Sequence, residues 1–190
     1  LKYIKPTLVL AAICIIISAA LAVTYNITKS SAELTPDKIL AQMSDDYKSV
    51  LPGATAFEFI ERTPDYENNK NGVAVEWVKS DAGYAITAHS SGQYDSTPIR
   101  VLVGISYEGQ VTGVKILRIS ETPGMGQRVN SKSFLSQFAG GIKFSADGRT
   151  GKKIDTLTNA TYSSKAVISA VNTALEKFAE LTDNKGASST

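Results

Sequence analysis

The chain is 190 residues long with a formal charge of +2, which allows one domain of ordinary size plus a short additional segment. Its single cysteine, Cys14, lies in an apolar run, and lone His89 has no local companion, which excludes a disulfide framework and the usual cysteine-rich zinc or iron–sulfur sites. The first 30 residues carry Lys2, Lys5 and Lys29 and no acid, so the remainder is −1 overall; that balance gives no sign of a nucleic-acid surface, and no P-loop or dinucleotide fingerprint occurs.

Residues 7–25 are apolar apart from Thr7, Ser18 and Thr24 and hold no charge. Nineteen residues at about 1.5 Å each just cross a hydrocarbon core of about 30 Å, so the run predicts a transmembrane anchor within residues 1–30. Lys2 and Lys5 ahead of it place the N-terminus in the cytoplasm and residues 31–190 outside the membrane. A cleaved signal peptide, ending near Ala20 or Ala22, is the competing reading; the length of the run favours an anchor.

Thr35-Pro36-Asp37 starts a helix whose apolar face is Ile39, Leu40, Met43, Tyr47, Val50 and Leu51, and Pro52-Gly53 ends it. Its acids, Asp37, Asp45 and Asp46, favour packing on protein over lying on a membrane. Short β-type segments follow at 56–62, 73–79, 83–88, 99–107 and 111–119, with Glu108-Gly109 as a hairpin turn and Trp77 as a core residue. The loop 66–72, rich in asparagine, reads as exposed. Residues 131–138 predict a short helix, 142–154 a polar, turn-rich stretch, and 183–190 a flexible tail. The predicted fold is α+β: an antiparallel sheet packed by helices behind one membrane helix.

Two stretches carry chemistry. In the first, Glu121-Thr122-Pro123-Gly124-Met125-Gly126, Pro123 fixes φ while Gly124 and Gly126 permit positive φ and close approach of backbone to a ligand; Met125 offers a polarizable contact. In the second, Asp155-Thr156-Leu157-Thr158-Asn159-Ala160-Thr161 precedes an amphipathic helix with Ala166, Val167, Ala170, Val171, Ala174, Leu175 and Phe178 on one face. Ser163 or Ser164 is the expected N-cap, which sets Thr161 beside unpaired N–H groups, and Lys165 falls in the expected first turn. Read alone, the first stretch is also a Pro-Gly turn and the second a polar helix cap.

Together, in this order and about 35 residues apart, they resemble the two signatures of the FMN-binding domain shared by the G subunit of Rnf electron-transport complexes and the C subunit of the sodium-pumping NADH:quinone reductase. The first matches a Glu-Thr-Pro-Gly-Leu-Gly signature with Met125 in place of Leu, a volume-conserving exchange. The second matches a flavin-transferase signal at Asp155, Thr158, Ala160 and Thr161, with Asn159 where Gly is usual; Asn is the best-tolerated substitute at positive φ.

The resemblance implies FMN bound covalently through its phosphate to Thr161, with Glu121, Thr122, Gly124, Met125, Gly126, Ala160, Ser163, Ser164 and Lys165 around it. Asp155, Thr158, Ala160 and Thr161 would be read by the transferase during loading. It implies an electron-relay subunit, not independently catalytic, of an ion-translocating ferredoxin:NAD⁺ oxidoreductase, partnered by the other membrane subunits. The quinone-reductase C subunit is the alternative within the flavin class. A membrane-anchored extracellular interaction module without redox function is the alternative outside it.

Overall fold

The computed structural model describes the backbone of residues 4–32, 35–68, 71–91 and 97–187, and side chains from residues 10–25, 35–68, 71–91 and 97–183. The chain divides into two units, Leu1–Ile39 and Leu40–Thr190.

The first unit is dominated by α1 (Ile4–Ala32), a helix of 29 residues. Its apolar side chains are exposed on all sides, with Leu10, Ile15, Ile16 and Leu21 each above 60%. The expected span at 7–25 lies inside α1. Among the described residues no helix is long and apolar enough to cross a membrane. The side chains of residues 7–9 and of Lys5 and Lys29 are outside the described residues, as is all of Lys2.

The division between units falls within α2 (Pro36–Val50), which starts at the predicted Pro36. The second unit is built on one antiparallel sheet in which sequence order is spatial order: β1 (Phe57–Arg62), β2 (Val73–Ser80), β3 (Gly83–Ser90), β4 (Ile99–Ile105) and β5 (Val111–Arg118). All five strands fall on the predicted β-type segments. The β4–β5 turn is closed by Gly109 N–H donating to Ser106 O at 2.9 Å, with Gly109 at φ 79°.

Each face of the sheet has its own core. On one, Ile86, Val101, Val103 and Ile105 pack with Val167, Ala170, Val171 and Ala174 of α5 (Thr161–Ala187). Trp77 belongs to this core, with Lys177 Nζ 4.2 Å from its ring centroid, as its reading as a core residue anticipated. On the other face, Val78, Ala85 and Leu102 meet Tyr47, Val50 and Leu51 from the end of α2. Gly104 makes that contact possible: a Cβ there would stand 2.1 Å from Val50 O.

The α2-side core ends in a polar cluster. Glu76 is fully buried and accepts from Tyr47 Oη at 2.9 Å and from Arg62 Nε at 2.5 Å. The Tyr66 ring lies between two guanidiniums, Arg62 at 3.8 Å and Arg100 at 3.9 Å from its centroid. Tyr66 is thus buried within a single turn, α3 (Asp65–Asn68), so the reading of 66–72 as an exposed loop is corrected at its start; residues 69–70 lie outside the described residues. The cation–π sandwich is what draws the loop inward. His89 has a structural role beside it, accepting from Arg100 Nε at Nε2 over 2.9 Å.

The segment joining β5 to α5 is more ordered than its composition suggests. A 3₁₀ turn at Gly126–Asn130 precedes α4 (Lys132–Leu135), whose chain continues as a second 3₁₀ turn, Ser136–Phe138. Within the stretch read as turns, β6 (Phe144–Ser145) pairs in parallel with β7 (Lys152–Lys153). Asn172 holds β6 on α5, donating to Phe144 O at 2.8 Å and accepting from Phe144 N–H at 3.0 Å. The expected tail at 183–190 is helical as far as Ala187, and residues 188–190 lie outside the described residues.

Candidate functional site

Beyond β5 the first stretch folds into a tight loop. Thr122 O accepts from Met125 N–H at 3.2 Å and from Gln127 N–H at 3.4 Å, and Gly124 takes φ 77°. The turn leaves Thr122 and Gly124 exposed and holds Met125 half-exposed at 49%, while Glu121 is buried.

The second stretch reaches α5 through a left-handed residue. Asn159 has φ 64°, the single non-glycine positive φ among the described residues. That is the conformation for which glycine is usual and asparagine the best substitute. Ala160 follows, its N–H donating to Leu157 O at 3.0 Å and its carbonyl accepting the first helical bond from Ser164 N–H at 2.8 Å.

The residue before the helix is therefore Ala160, and the expected N-cap at Ser163 or Ser164 is corrected. Both serines are buried inside the first turn. Ser164 Oγ still serves the junction, accepting from Leu157 N–H at 3.1 Å and donating to Ala160 O at 2.8 Å. Ser163 Oγ instead donates to Glu121 Oε2 at 2.8 Å, a bond across 42 residues that fastens one stretch to the other. Gly126 sits over this pair: a Cβ would lie 2.6 Å from both Glu121 Cβ and Oε2, and 2.8 Å from Ser163 Oγ.

The two stretches close a cavity of about 450 Å³ lined by residues from both: Glu121, Thr122, Met125 and Gly126 on one side, and Asn159, Ala160, Thr161, Tyr162 and Ser163 on the other. Thr161 is exposed in it, at the first position of α5. N–H groups at the start of a helix have no intrahelical acceptor and lie at the positive end of its dipole, so this wall suits a phosphate. Opposite lies Glu121 Oε1, buried and without a protein hydrogen-bond partner. A buried carboxylate oxygen of this kind fits a ligand that brings a donor. A pocket this size with one apolar lip, Met125, and few polar groups suits a flat heteroaromatic ring. The residues present fit FMN.

Not every expected residue lines this space. Ser164 supports it from beneath, and Gly124 shapes the loop from outside. Lys165 falls in the second turn, because the helix begins at Thr161, and borders a neighbouring groove with Asp147 and Asn172. Arg149 N–H, donating to the Asp147 carboxyl, holds that group below its ordinary range, with a smaller contribution from the Lys165 charge. Asp155 and Thr158 stand outside the cavity, and both are exposed. Asp155 pairs with Lys153 at 3.3 Å, and Thr158 O accepts from Arg128 Nη1 at 3.2 Å. Tyr162, 58% exposed, was not anticipated as a lining residue; its place beside Thr161 at the helix start was the available signal.

The FMN-binding domain family matches residues 94–176, a span that contains both stretches. That segment is similar to an FMN-binding domain. Over most of its length the chain is also similar to whole subunits named for larger complexes. The G subunit of the ion-translocating oxidoreductase complex of Methanosarcina acetivorans is 27% identical, the match covering 90% of this chain and 92% of that one. The G subunit of the Na⁺-translocating ferredoxin:NAD⁺ oxidoreductase complex of Acetobacterium woodii is also 27% identical, with 93% and 92% covered. The structure of the C subunit of the Na⁺-translocating NADH-quinone reductase from Parabacteroides distasonis superposes with a TM-score of 0.53 over 77% of this chain and 96% of that one. At 12% identity, that likeness shows the fold alone.

Proposed function

We infer that this chain is the G subunit of an Rnf-type membrane complex, an ion-translocating ferredoxin:NAD⁺ oxidoreductase, and that it relays electrons through FMN held covalently on Thr161. One observation carries the covalent part: both FMN-domain stretches meet in one cavity, and exposed Thr161 lines it at the start of α5. Bound FMN supplies the redox chemistry, accepting and releasing electrons. The chain's own residues supply position. Thr161 Oγ1 would hold the FMN phosphate as an ester, the first N–H groups of α5 would offset its charge, and Met125 and Tyr162 would supply apolar contact for the ring. Glu121 Oε1 accepts from the ligand while Ser163 holds its other oxygen.

Asp155 and Thr158 precede the acceptor in the chain and are exposed, which suits recognition by the flavin transferase during loading. α1 is the membrane anchor, with the N-terminus in the cytoplasm and the flavin domain on the outer side. Its partners are the remaining subunits of the complex. A covalent tether suits that location, because FMN lost there would leave the cell's reach. The test is the intact mass of the full chain purified from its native host: one FMN less one water is expected on the wild type and none on Thr161→Ala. An unmodified wild-type mass overturns the covalent assignment.

A further inference from the structure

The cavity between the two stretches is lined in two different ways. Glu121, Gly126, Ala160 and Ser163 are buried, and the remaining lining residues reach solvent. The buried part is small and mostly polar, with apolar surface only at Gly126 and Ala160. The exposed part holds two large apolar side chains. Met125, 49% exposed, comes from the first stretch, and Tyr162, 58% exposed, comes from the second.

A single apolar side chain half in water is ordinary and needs no explanation. Two of them bordering one cavity, one from each stretch, offer apolar surface that a bound ring would cover. Of the two, Tyr162 alone is aromatic. It also follows Thr161 directly in the first turn of α5, so a ring tethered to Thr161 through a ribityl chain can fold back over it.

We propose that Tyr162 is the stacking partner of the flavin ring and that this stack lowers the reduction potential of the relay. The proposal rests on the reading of the cavity as the FMN site. Offset stacking favours π-systems of complementary charge distribution. The oxidised flavin ring is electron-poor and the phenol ring electron-rich, so the stack holds the oxidised form more tightly than the reduced one. A contact with that bias shifts the equilibrium toward the oxidised form by the difference in affinity. The protein thereby tunes the electronics of the cofactor without entering its chemistry. The same contact leaves an optical mark. When light excites the ring, the phenol gives it one electron and takes that electron back, so fluorescence is quenched and nothing is oxidised overall.

The test uses the full chain purified from its native host, with intact mass giving the loaded fraction of each sample. Wild-type flavin should fluoresce weakly in the folded protein and severalfold more brightly after unfolding. Tyr162→Leu, which keeps an apolar side chain at an exposed position, should be bright while folded and should titrate at a higher potential against a redox dye. Tyr162→Phe should be bright too but shift less in potential, because it keeps a stacking ring and loses the phenol that gives up an electron. A loaded, folded Tyr162→Leu variant that keeps either the wild-type fluorescence or the wild-type potential overturns the proposal. A wild-type mass without flavin would be a failure of the covalent reading alone, and added FMN then decides the stack. Quenching by the wild type but not by Tyr162→Leu supports it, and equal brightness with the two proteins overturns it.

Discussion

Ser163 donates its hydroxyl to Glu121 Oε2 at 2.8 Å, and this single buried bond joins the loop after β5 to the first turn of α5. Neither residue is positioned by its own element alone. The loop is held by Thr122 O, the helix by the Ser164–Leu157 junction, and the pair locks the two at the cavity floor. Ser163→Ala leaves a buried carboxylate with no protein partner on either oxygen. We expect a loss of about 1–3 kcal/mol of domain stability, measured by denaturant unfolding of the flavin-free protein, and partial recovery in a Ser163→Ala, Glu121→Gln double variant.

Gly126 is the third member of that contact. Its Cα stands so close to Glu121 and Ser163 that any Cβ must displace one of them. Gly126→Ala should therefore cost about 1–3 kcal/mol by overpacking and spoil the cavity, whereas Gly124→Ala, with open space around it, meets only the strain of positive φ. Comparing unfolding midpoints of the two variants separates crowding from strain. Equal losses would contradict the close-approach account.

Asn159 tests the turn before the acceptor. Asn159→Gly should preserve stability and flavin loading, since φ 64° is open to glycine. Asn159→Val should cost about 1–3 kcal/mol and reduce the flavin-to-protein ratio, because a β-branched residue resists that conformation. Full loading of the valine variant would show that the transferase does not require this turn.

The Tyr47–Glu76–Arg62 cluster sets an alkaline limit. Burial, reinforced by the Glu76 charge and the hydrogen bond to it, raises the Tyr47 hydroxyl well above its ordinary 10.0, and burial also raises Tyr66. A raised folded-state value means that the stabilising contribution is intact below pH 10 and is lost as pH climbs beyond it, when the unfolded chain ionises and the folded one resists. Wild-type Tm should thus fall more steeply above about pH 10 than that of Tyr47→Phe. Arg62→Ala, which leaves Glu76 buried beside Tyr47 alone, should cost about 3–5 kcal/mol near neutrality.

Much of this was legible in the chain itself. The strands announced themselves as short runs rich in β-branched and aromatic residues between turn signals, although β3 is buried at every position and shows no alternation of burial, and α2 because Pro36 and its apolar spacing fix both start and face. The two site stretches were legible because their glycines, proline and acceptor threonine have few other uses in that order. The helix start was misplaced since Ser163 and Ser164 look like caps, while their hydroxyls are spent on tertiary bonds that no local spacing encodes. Lys165 followed the same error by one turn. The β6–β7 pair is only two residues per strand, too short to show a period. The buried Glu76 cluster depends on α2, β1, β2 and α3 converging, which is a property of the fold.

The central claim is that Thr161 carries the flavin. Its most direct test is in-gel flavin fluorescence of the denatured full-length protein, purified from its native host, beside Thr161→Ala and Thr161→Ser. Denaturation strips noncovalent flavin. The account predicts a fluorescent wild-type band, a dark alanine variant and a serine variant that keeps the signal. A dark wild-type band, or fluorescence that survives in Thr161→Ala, would contradict it.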